Sequence, residues 1–347
     1  MTRSEIIADL DALGHFLEHV YSENNTTHQN FSKELTERFQ EIIASELYRN
    51  GWFTQENVCK ALAGIREWLK LETLTSFVQP YPFAHFQSKL GLILAGNIPL
   101  VGFHDVLCGL LSGWRLQVKM SSDDNRLLPL LVDALCERNP LYREIIELQA
   151  PRLQGFHAVI GTGSDTSLLH FTSYFKDIPH LLRGNRTSVA VLDGTESIAD
   201  LQLLGEDIFR YYGRGCRNVT HLIVPDTYNF SPFFEAIMPY ENVLLHKKYG
   251  NNYDYNKAVF LLSQQPLLDN GFVLLMETQD LHAPLAMVNF HRYTHTDEIT
   301  RYINTHKEHI QCVVGKDGVA FGQTQQPRLD DFADNLNTMH WLGSRLH

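Results

Sequence analysis

Long runs of any one kind are missing from this chain. No Lys/Arg block interrupts a sequence whose formal charge is -11 at pH 7. Such a chain repels phosphate backbones, which excludes nucleic-acid partners. Cysteine is sparse: Cys59, Cys108, Cys136, Cys216 and Cys312 stand singly. An odd count without a Cys-x-x-Cys pair excludes a disulfide framework and places the protein in the reducing cytoplasm. Met1 to Leu13 carries acids every few positions and has no apolar stretch, so no secretion signal is expected. The longest apolar stretch, Leu90 to Leu111, contains Asn97, Pro99, His104 and Asp105. Those groups make a membrane span costly and suit a buried strand, turn and helix. Neither an internal repeat nor a low-complexity segment is present.

What is there belongs to a globular protein: 44% apolar, 11% aromatic and 20% charged residues. A length of 347 residues suggests two domains. Helical spacing opens the chain, with Ile6, Leu10, Leu13, Phe16, Leu17 and Val20, then apolar faces in Phe31–Leu47 and Val58–Leu69. From Leu90 strands and helices alternate. Strands are predicted at Gly91–Ala95, Arg115–Met120 and Phe156–Ile160, with helices at Pro99–Leu111, Arg126–Cys136 and Ser164–Phe175. The succession implies a parallel sheet that takes ligands at the carboxyl ends of its strands. A second α/β stretch follows a boundary near Asn185. Its predicted strands are Ser188–Leu192, Val219–Val224, Phe272–Met276, Leu285–Phe290 and Ile310–Val314, and a helix covers Leu201–Tyr212.

Several residues have the chemistry for a site. Cys216 stands in Gly213-Arg214-Gly215-Cys216-Arg217, on a predicted helix-to-strand turn. Flanking cations favour a thiolate, and glycines let a carbonyl approach the backbone N–H groups. A structural cysteine beside two surface arginines fits the same residues. The turn Gly161-Thr162-Gly163-Ser164 joins a strand to a helix, where backbone N–H groups suit a phosphate. It lacks the third glycine of a dinucleotide fingerprint, and a plain tight turn fits it equally. Lys119 ends a predicted strand and is followed by Ser121 and Ser122, a set able to meet a nucleotide ribose or simply to face solvent. His291 with His295, and His306 with His309, have helical spacing without a third ligand, so polar helix faces are expected and no metal site.

Taken together, Asn97-Ile98-Pro99, Lys119, Gly163-Ser164 and Gly213–Cys216 resemble the motifs of the aldehyde dehydrogenase superfamily in order and spacing. The runs from Leu94 to Asp105 and from Ser188 to Gly194, with Leu204–Tyr211 and Phe321-Gly322-Gln323, look like its acyl-CoA reductase branch, which includes the fatty acyl reductase of bacterial luminescence systems. The resemblance runs from Leu90 to the C-terminus, roughly three quarters of the chain. It implies an α/β, aldehyde-dehydrogenase-like fold with a Rossmann-type cofactor domain, an α/β catalytic domain and a helical N-terminal segment. The domains expected are 1–185 for the helices and cofactor, 186–315 for catalysis, and 316–347 returning to the cofactor domain.

By the same resemblance Cys216 is the acyl-accepting nucleophile and Asn97 the oxyanion-hole amide. Lys119, with Ser121 and Ser122, meets the adenosine ribose, while Gly161, Gly163 and Ser164 meet the cofactor phosphates. Asp280 stands where the superfamily has a glutamate that holds the nicotinamide ribose. Two departures matter. Members that oxidise aldehydes carry a water-activating glutamate 34 residues before the cysteine; here that position is Leu182, which cannot take a proton. Many NAD-using members carry a glutamate three residues after the ribose lysine; here it is Ser122, which leaves room for a 2′-phosphate. The expectation is therefore NADPH-dependent reduction of a fatty acyl thioester, such as acyl-CoA, to the aldehyde, with NADH as the alternative cofactor. The alternatives are a CoA-acylating aldehyde dehydrogenase running oxidatively and a non-catalytic acyl-binding subunit. A homo-oligomer, with acyltransferase or acyl-activating partners, is what the resemblance implies for assembly.

Overall fold

The computed structural model describes residues 1–21, 30–148 and 153–345. The chain forms two compact units, Met1–Gly184 with Arg328–His347, and Asn185–Pro327. Each is described on its own.

The first unit opens with four helices, α1 (Arg3–Tyr21), α2 (Lys33–Arg49), α3 (Gln55–Trp68) and α4 (Leu71–Val78). The apolar stripe of α1 is what the spacing predicts: Ile6, Leu10, Leu13, Phe16 and Leu17 are fully buried. Ser32 and Thr54 start α2 and α3, each side-chain oxygen accepting a backbone N–H of the first turn. An alternating stretch follows: β1 (Lys89–Ile93), α5 (Phe103–Leu111), β2 (Arg115–Lys119), α6 (Leu127–Arg138), α7 (Tyr142–Ile145), β3 (Ile146–Leu148), β4 (Ala158–Thr162), α8 (Asp165–Tyr174) and β5 (His180–Arg183). The five strands pair in parallel in the order β3-β2-β1-β4-β5. Strand order reverses beside β1, which makes the β1/β4 crevice the switch point of the sheet.

One element begins later than the sequence suggests. The helix predicted from Pro99 starts at Phe103, because Leu100 turns left-handed at φ 57° and breaks the run. Arg183, at the end of β5, is only 3% exposed and holds the unit together through charge. Its Nη1 donates to both carboxylate oxygens of Asp105 on α5, at 2.7 and 2.8 Å, and Nη2 donates to Thr338 Oγ1 at 2.7 Å. Thr338 opens α13 (Thr338–Gly343), whose Met339 and Leu342 are buried in the same core as Leu92, Leu110 and Trp114.

The second unit runs β6 (Thr187–Val191), α9 (Ile198–Phe209), a 3₁₀ turn (Arg210–Gly213), β7 (Val219–Pro225), α10 (Ser231–Ile237), α11 (Lys247–Leu262), β8 (Leu268–Asp269), β9 (Leu274–Glu277), β10 (Met287–Tyr293), α12 (Thr296–His306) and β11 (Ile310–Val314). Its sheet has the order β11-β6-β7-β10-β9-β8, parallel except for the short β8–β9 pair. His291 is not on a polar helix face, as its spacing suggests, but on β10 and 5% exposed. His221 Nδ1 donates to Asp280 O at 3.0 Å, so its Nε2 accepts from His291 Nδ1–H at 2.7 Å. No helix among the described residues is long and apolar enough to cross a membrane.

Two expectations follow for stability. Asp105→Ala takes the bidentate partner from the buried Arg183, leaving it the field of Asp334, and costs about 3 kcal/mol in urea denaturation, whereas a loss under 1 kcal/mol would refute that role. Burial holds His221 down at about 3 and His291 at about 4, both below the ordinary 6.5. In the unfolded chain each takes a proton near 6.5, while the folded chain refuses it. Stability is thus full above that pH and falls, by up to roughly 1.4 kcal/mol per pH unit for each histidine, as pH drops toward 4. Denaturation midpoints measured at pH 7, 6 and 5 should decline, and His221→Phe/His291→Phe should flatten the decline.

Candidate functional site

Cys216 lies between the end of α9 and the start of β7, in a turn with unusual backbone. The predicted helix to Tyr212 stops at Phe209; Tyr211, Tyr212 and Gly213 are all left-handed, with φ of 53°, 58° and 75°. Gly213 tolerates this freely, but each tyrosine is strained by about 1–2 kcal/mol. Asn218 supplies the compensation. Fully buried, it donates through Nδ2 to the carbonyls of Asp207, Ile208 and Arg210 at 3.0, 3.2 and 2.9 Å. Its Oδ1 accepts from Gly215 N–H at 2.7 Å, and its own N–H returns to Gly215 O at 3.0 Å. One side chain thereby terminates the helix and closes the loop that carries the cysteine.

Further contacts fix the flanks. Ser188 Oγ donates to Cys216 O at 3.1 Å while accepting Cys312 N–H at 3.1 Å, which ties the turn to β6 and β11. The fully buried Asp207 on α9 accepts from Gly322 N–H, Thr324 N–H and Thr324 Oγ1 at 2.7–3.0 Å, so the segment around Phe321-Gly322-Gln323 packs with this unit. Tyr212 stacks on His246 with ring centroids 4.1 Å apart. Cys216 is half-buried, whereas Cys108, Cys136 and Cys312 are buried. Arg217, next to Cys216 in the chain, donates through Nη1 to Cys312 Sγ at 3.3 Å. Behind the turn is a cavity of about 220 Å³ whose walls include Ile208, Phe209, Tyr212, Val219, Leu285 and Met287. Its walls are mixed, with Thr220 and Tyr249 beside these side chains, and Cys216 is not one of them. Asp280 is exposed, and its carbonyl is engaged by His221 and Asn289.

The other candidate residues gather at one edge of the first unit's sheet. Strand register places Lys119, Ile93, Gly161 and Leu182 in one row across β2, β1, β4 and β5. Neighbouring strands are about 4.8 Å apart, so Lys119 and Gly161 lie roughly 10 Å from one another. The chain leaves this row as three turns: Gly96-Asn97, Ser121-Ser122 and Gly163-Ser164. Gly96 has no room for a side chain, since a Cβ there would lie 2.6 Å from Ser121 Oγ. Asn97 is half-buried in the turn between β1 and α5. Lys119 is exposed at the end of β2, and Ser122 is exposed at the tip of its turn. An exposed ammonium beside the crevice at the switch point has the chemistry to meet a ribose or a phosphate, so these residues fit a dinucleotide.

The Gly161–Ser164 turn is more constrained than its sequence suggests. Gly161 faces Leu182, whose Cδ2 would be 3.1 Å from an added Cβ, and Gly163 faces Ser167. Gly163 N–H already donates to Arg183 O at 3.1 Å. Ser164 Oγ caps α8 by accepting from Ser167 N–H at 3.3 Å. Close packing thus accounts for both glycines. Leu182 packs with Ile93, Phe171 and Val159, an apolar patch where the sequence comparison looks for a carboxylate.

Sequence reasoning passed over two groups, Asn218 and Asp124. An asparagine two residues after a cysteine carries no signal until the helix end folds back on it. Asp124 stands beside Asp123 as if it were surface charge, yet it is 7% exposed, and its Oδ2 accepts from Leu100 N–H at 2.6 Å. Among the described residues no cluster of three His, Cys, Asp or Glu side chains could hold a metal.

No protein-family model and no curated protein matches this sequence. Solved structures do resemble it. An indole-3-acetaldehyde dehydrogenase in complex with NAD+ superposes with TM-score 0.65 at 11% identity, over 90% of this chain and 72% of that one. Aldehyde dehydrogenase from Bacillus cereus gives 0.63 at 12%, over 91% and 72%. The Mycobacterium tuberculosis aldehyde dehydrogenase complexed with NAD+ gives 0.61 at 13%, over 88% and 71%. Identities this low speak for architecture alone: the chain has the aldehyde dehydrogenase fold.

Proposed function

We propose that the protein is an NADPH-dependent acyl thioester reductase that works through an acyl-enzyme on Cys216. The observation that carries this reading is the Asn218-locked turn, which holds the half-buried Cys216 directly after the left-handed backbone of Tyr211, Tyr212 and Gly213. Strain of this kind persists only where surrounding contacts over-determine it, and it concentrates at functional sites.

In the proposed reaction the Cys216 thiolate attacks the thioester carbonyl. The tetrahedral adduct collapses by expelling the carrier thiolate, which leaves the acyl group on Cys216. A bound nicotinamide would supply the hydride that takes the acyl group to the aldehyde level. Asn97 donates its side-chain amide to the oxygen as charge develops there, a contribution on the order of 3 kcal/mol per donor. When the resulting thiohemiacetal breaks down, its carbon–sulfur bond cleaves, aldehyde leaves and Cys216 is again a thiolate. Lys119 would hold the cofactor's ribose or its 2′-phosphate, with Ser121 and Ser122 beside it. Ser164, Gly161 and Gly163 would shape the turn next to the cofactor phosphates.

Leu182 supports a reductive rather than hydrolytic outcome. Packed among Ile93, Val159 and Phe171, it offers water no general base. An acyl-enzyme can then outlast the wait for hydride.

Cys216→Ala should abolish the acyl-enzyme seen by intact-mass spectrometry with acyl-CoA and cut reductase turnover at least 10³-fold, while NADPH binding stays within a factor of about two. Turnover at the wild-type rate would overturn the proposal. Lys119→Ala should raise KM for NADPH roughly tenfold and KM for NADH much less, because only NADPH carries the extra phosphate. Equal changes for both cofactors would show that Lys119 does not meet that phosphate.

A further inference from the structure

One buried acid lies beneath the Asn97 turn without a part in the reaction above. Ser121 and Asp124 form an isolated antiparallel bridge, and Asp124 N–H donates to Ser121 O at 3.3 Å. That tight turn grips the β1–α5 connection at two points. At the first, Gly96 packs so closely that an added Cβ would lie 2.6 Å from Ser121 Oγ and 3.1 Å from Asp124 N. At the second, Asp124 Oδ2 accepts from Leu100 N–H at 2.6 Å, and Leu100 is left-handed. Asn97 lies between the two grips. A leucine seldom adopts that backbone unless something holds it there.

The geometry points to Asp124 as a positioning residue, whose carboxylate holds Leu100 and thereby aims the Asn97 amide. This inference rests on Asn97 serving as the oxyanion donor. Its grip varies with protonation. Asp124 is 7% exposed, and its Oδ1 is buried with no hydrogen-bond partner among the described residues. Burial is the main reason its pKa is pushed up to about 7; Leu100 N–H opposes the rise and Glu46 adds to it. Glu46 faces it from α2, fully buried, with its own carboxyl also pushed up by burial. The cations nearby act on Glu46: Arg126 Nη1 is 3.3 Å from its Oε2, and Arg49 adds its field. As a carboxylate, Asp124 accepts a charge-assisted bond, roughly twice as strong as the bond the neutral acid accepts.

The signs of the two effects are opposed. The folded-state pKa is raised above 3.8, so stability contributed by this group is present at low pH and is lost as pH rises through 7. The working carboxylate is therefore the less stable form. An ordinary structural residue couples stability and activity; here they should separate.

The test compares wild type with D124N and D124A as full-length protein. Acyl-enzyme formation from acyl-CoA is timed by quenched-flow mass spectrometry between pH 6 and 9. Iodoacetamide alkylation of Cys216 and the urea midpoint are followed in parallel. At pH 8, D124N should slow acylation about 10-fold to 100-fold, leave the urea midpoint unchanged or raised, and leave alkylation unchanged. Divided at each pH by the alkylation rate, which carries the thiol's own ionisation, the wild-type acylation rate should still fall as pH drops through 7, and D124N should lack that remaining limb. Acylation within twofold of wild type, or a normalised limb that persists in D124N, would overturn the inference. Hydrogen exchange at Leu100 N–H decides the matter even if the variants do not fold. In wild type its protection, corrected for intrinsic rate, should rise between pH 6 and 8, and a flat profile sinks the idea. Should wild type form no acyl-enzyme, the reductase proposal fails, and the exchange profile still reports on the grip by itself.

Discussion

Asn218 spends every hydrogen-bonding group of its side chain on one loop. Its amide nitrogen serves the carbonyls that α9 leaves open at its end, and its oxygen holds Gly215 N–H. Each such group, if buried without a partner, would cost about 1–3 kcal/mol, enough to outweigh the strain at Tyr211 and Tyr212. The alternative for the loop is relaxation into ordinary backbone, which would shift the thiol. The placement of Cys216 is therefore a consequence of satisfying polar groups at a helix end.

The first unit applies the same physics at its sheet edge. The turns after β1 and β2 pack so tightly that Gly96 admits no side chain, and Asp124 reaches across to Leu100. Arg183 anchors β5 to α5 and α13 by a buried pair with Asp105 and a bond to Thr338. Such buried charges seldom add much net stability, since desolvation offsets attraction, but removing one partner strands the other. They fix which strand ends stand where. The His221–His291 pair does the equivalent in the second unit, where direction passes from a carbonyl through two neutral rings.

Much of the architecture was legible in the sequence because periodicity reports burial directly. The stripe on α1, the alternation from Leu90 onward and the parallel sheets all follow from where apolar residues recur. Short strands were not legible. β3 has three residues, and β5 ends on the charged Arg183, so neither carries an apolar run. The start of α5 and the end of α9 were misjudged for a shared reason. Left-handed turns at Leu100 and at Tyr211-Tyr212 are held by side chains distant in sequence, and nothing local announces them.

By itself, the order of residues determined the fold class, because the alternation of strands and helices depends on residue identity and spacing; Cys216 stood out by its neighbours, and a family resemblance singled out Asn97 and Leu182. Tertiary structure decided the rest. Arg217 turned to Cys312, Gly163 N–H went to Arg183, His291 entered the core, and Asp124 turned inward to Leu100. Each of these outcomes depends on which polar group finds a partner once water is excluded. That is settled by three-dimensional neighbours, and a linear pattern does not record them.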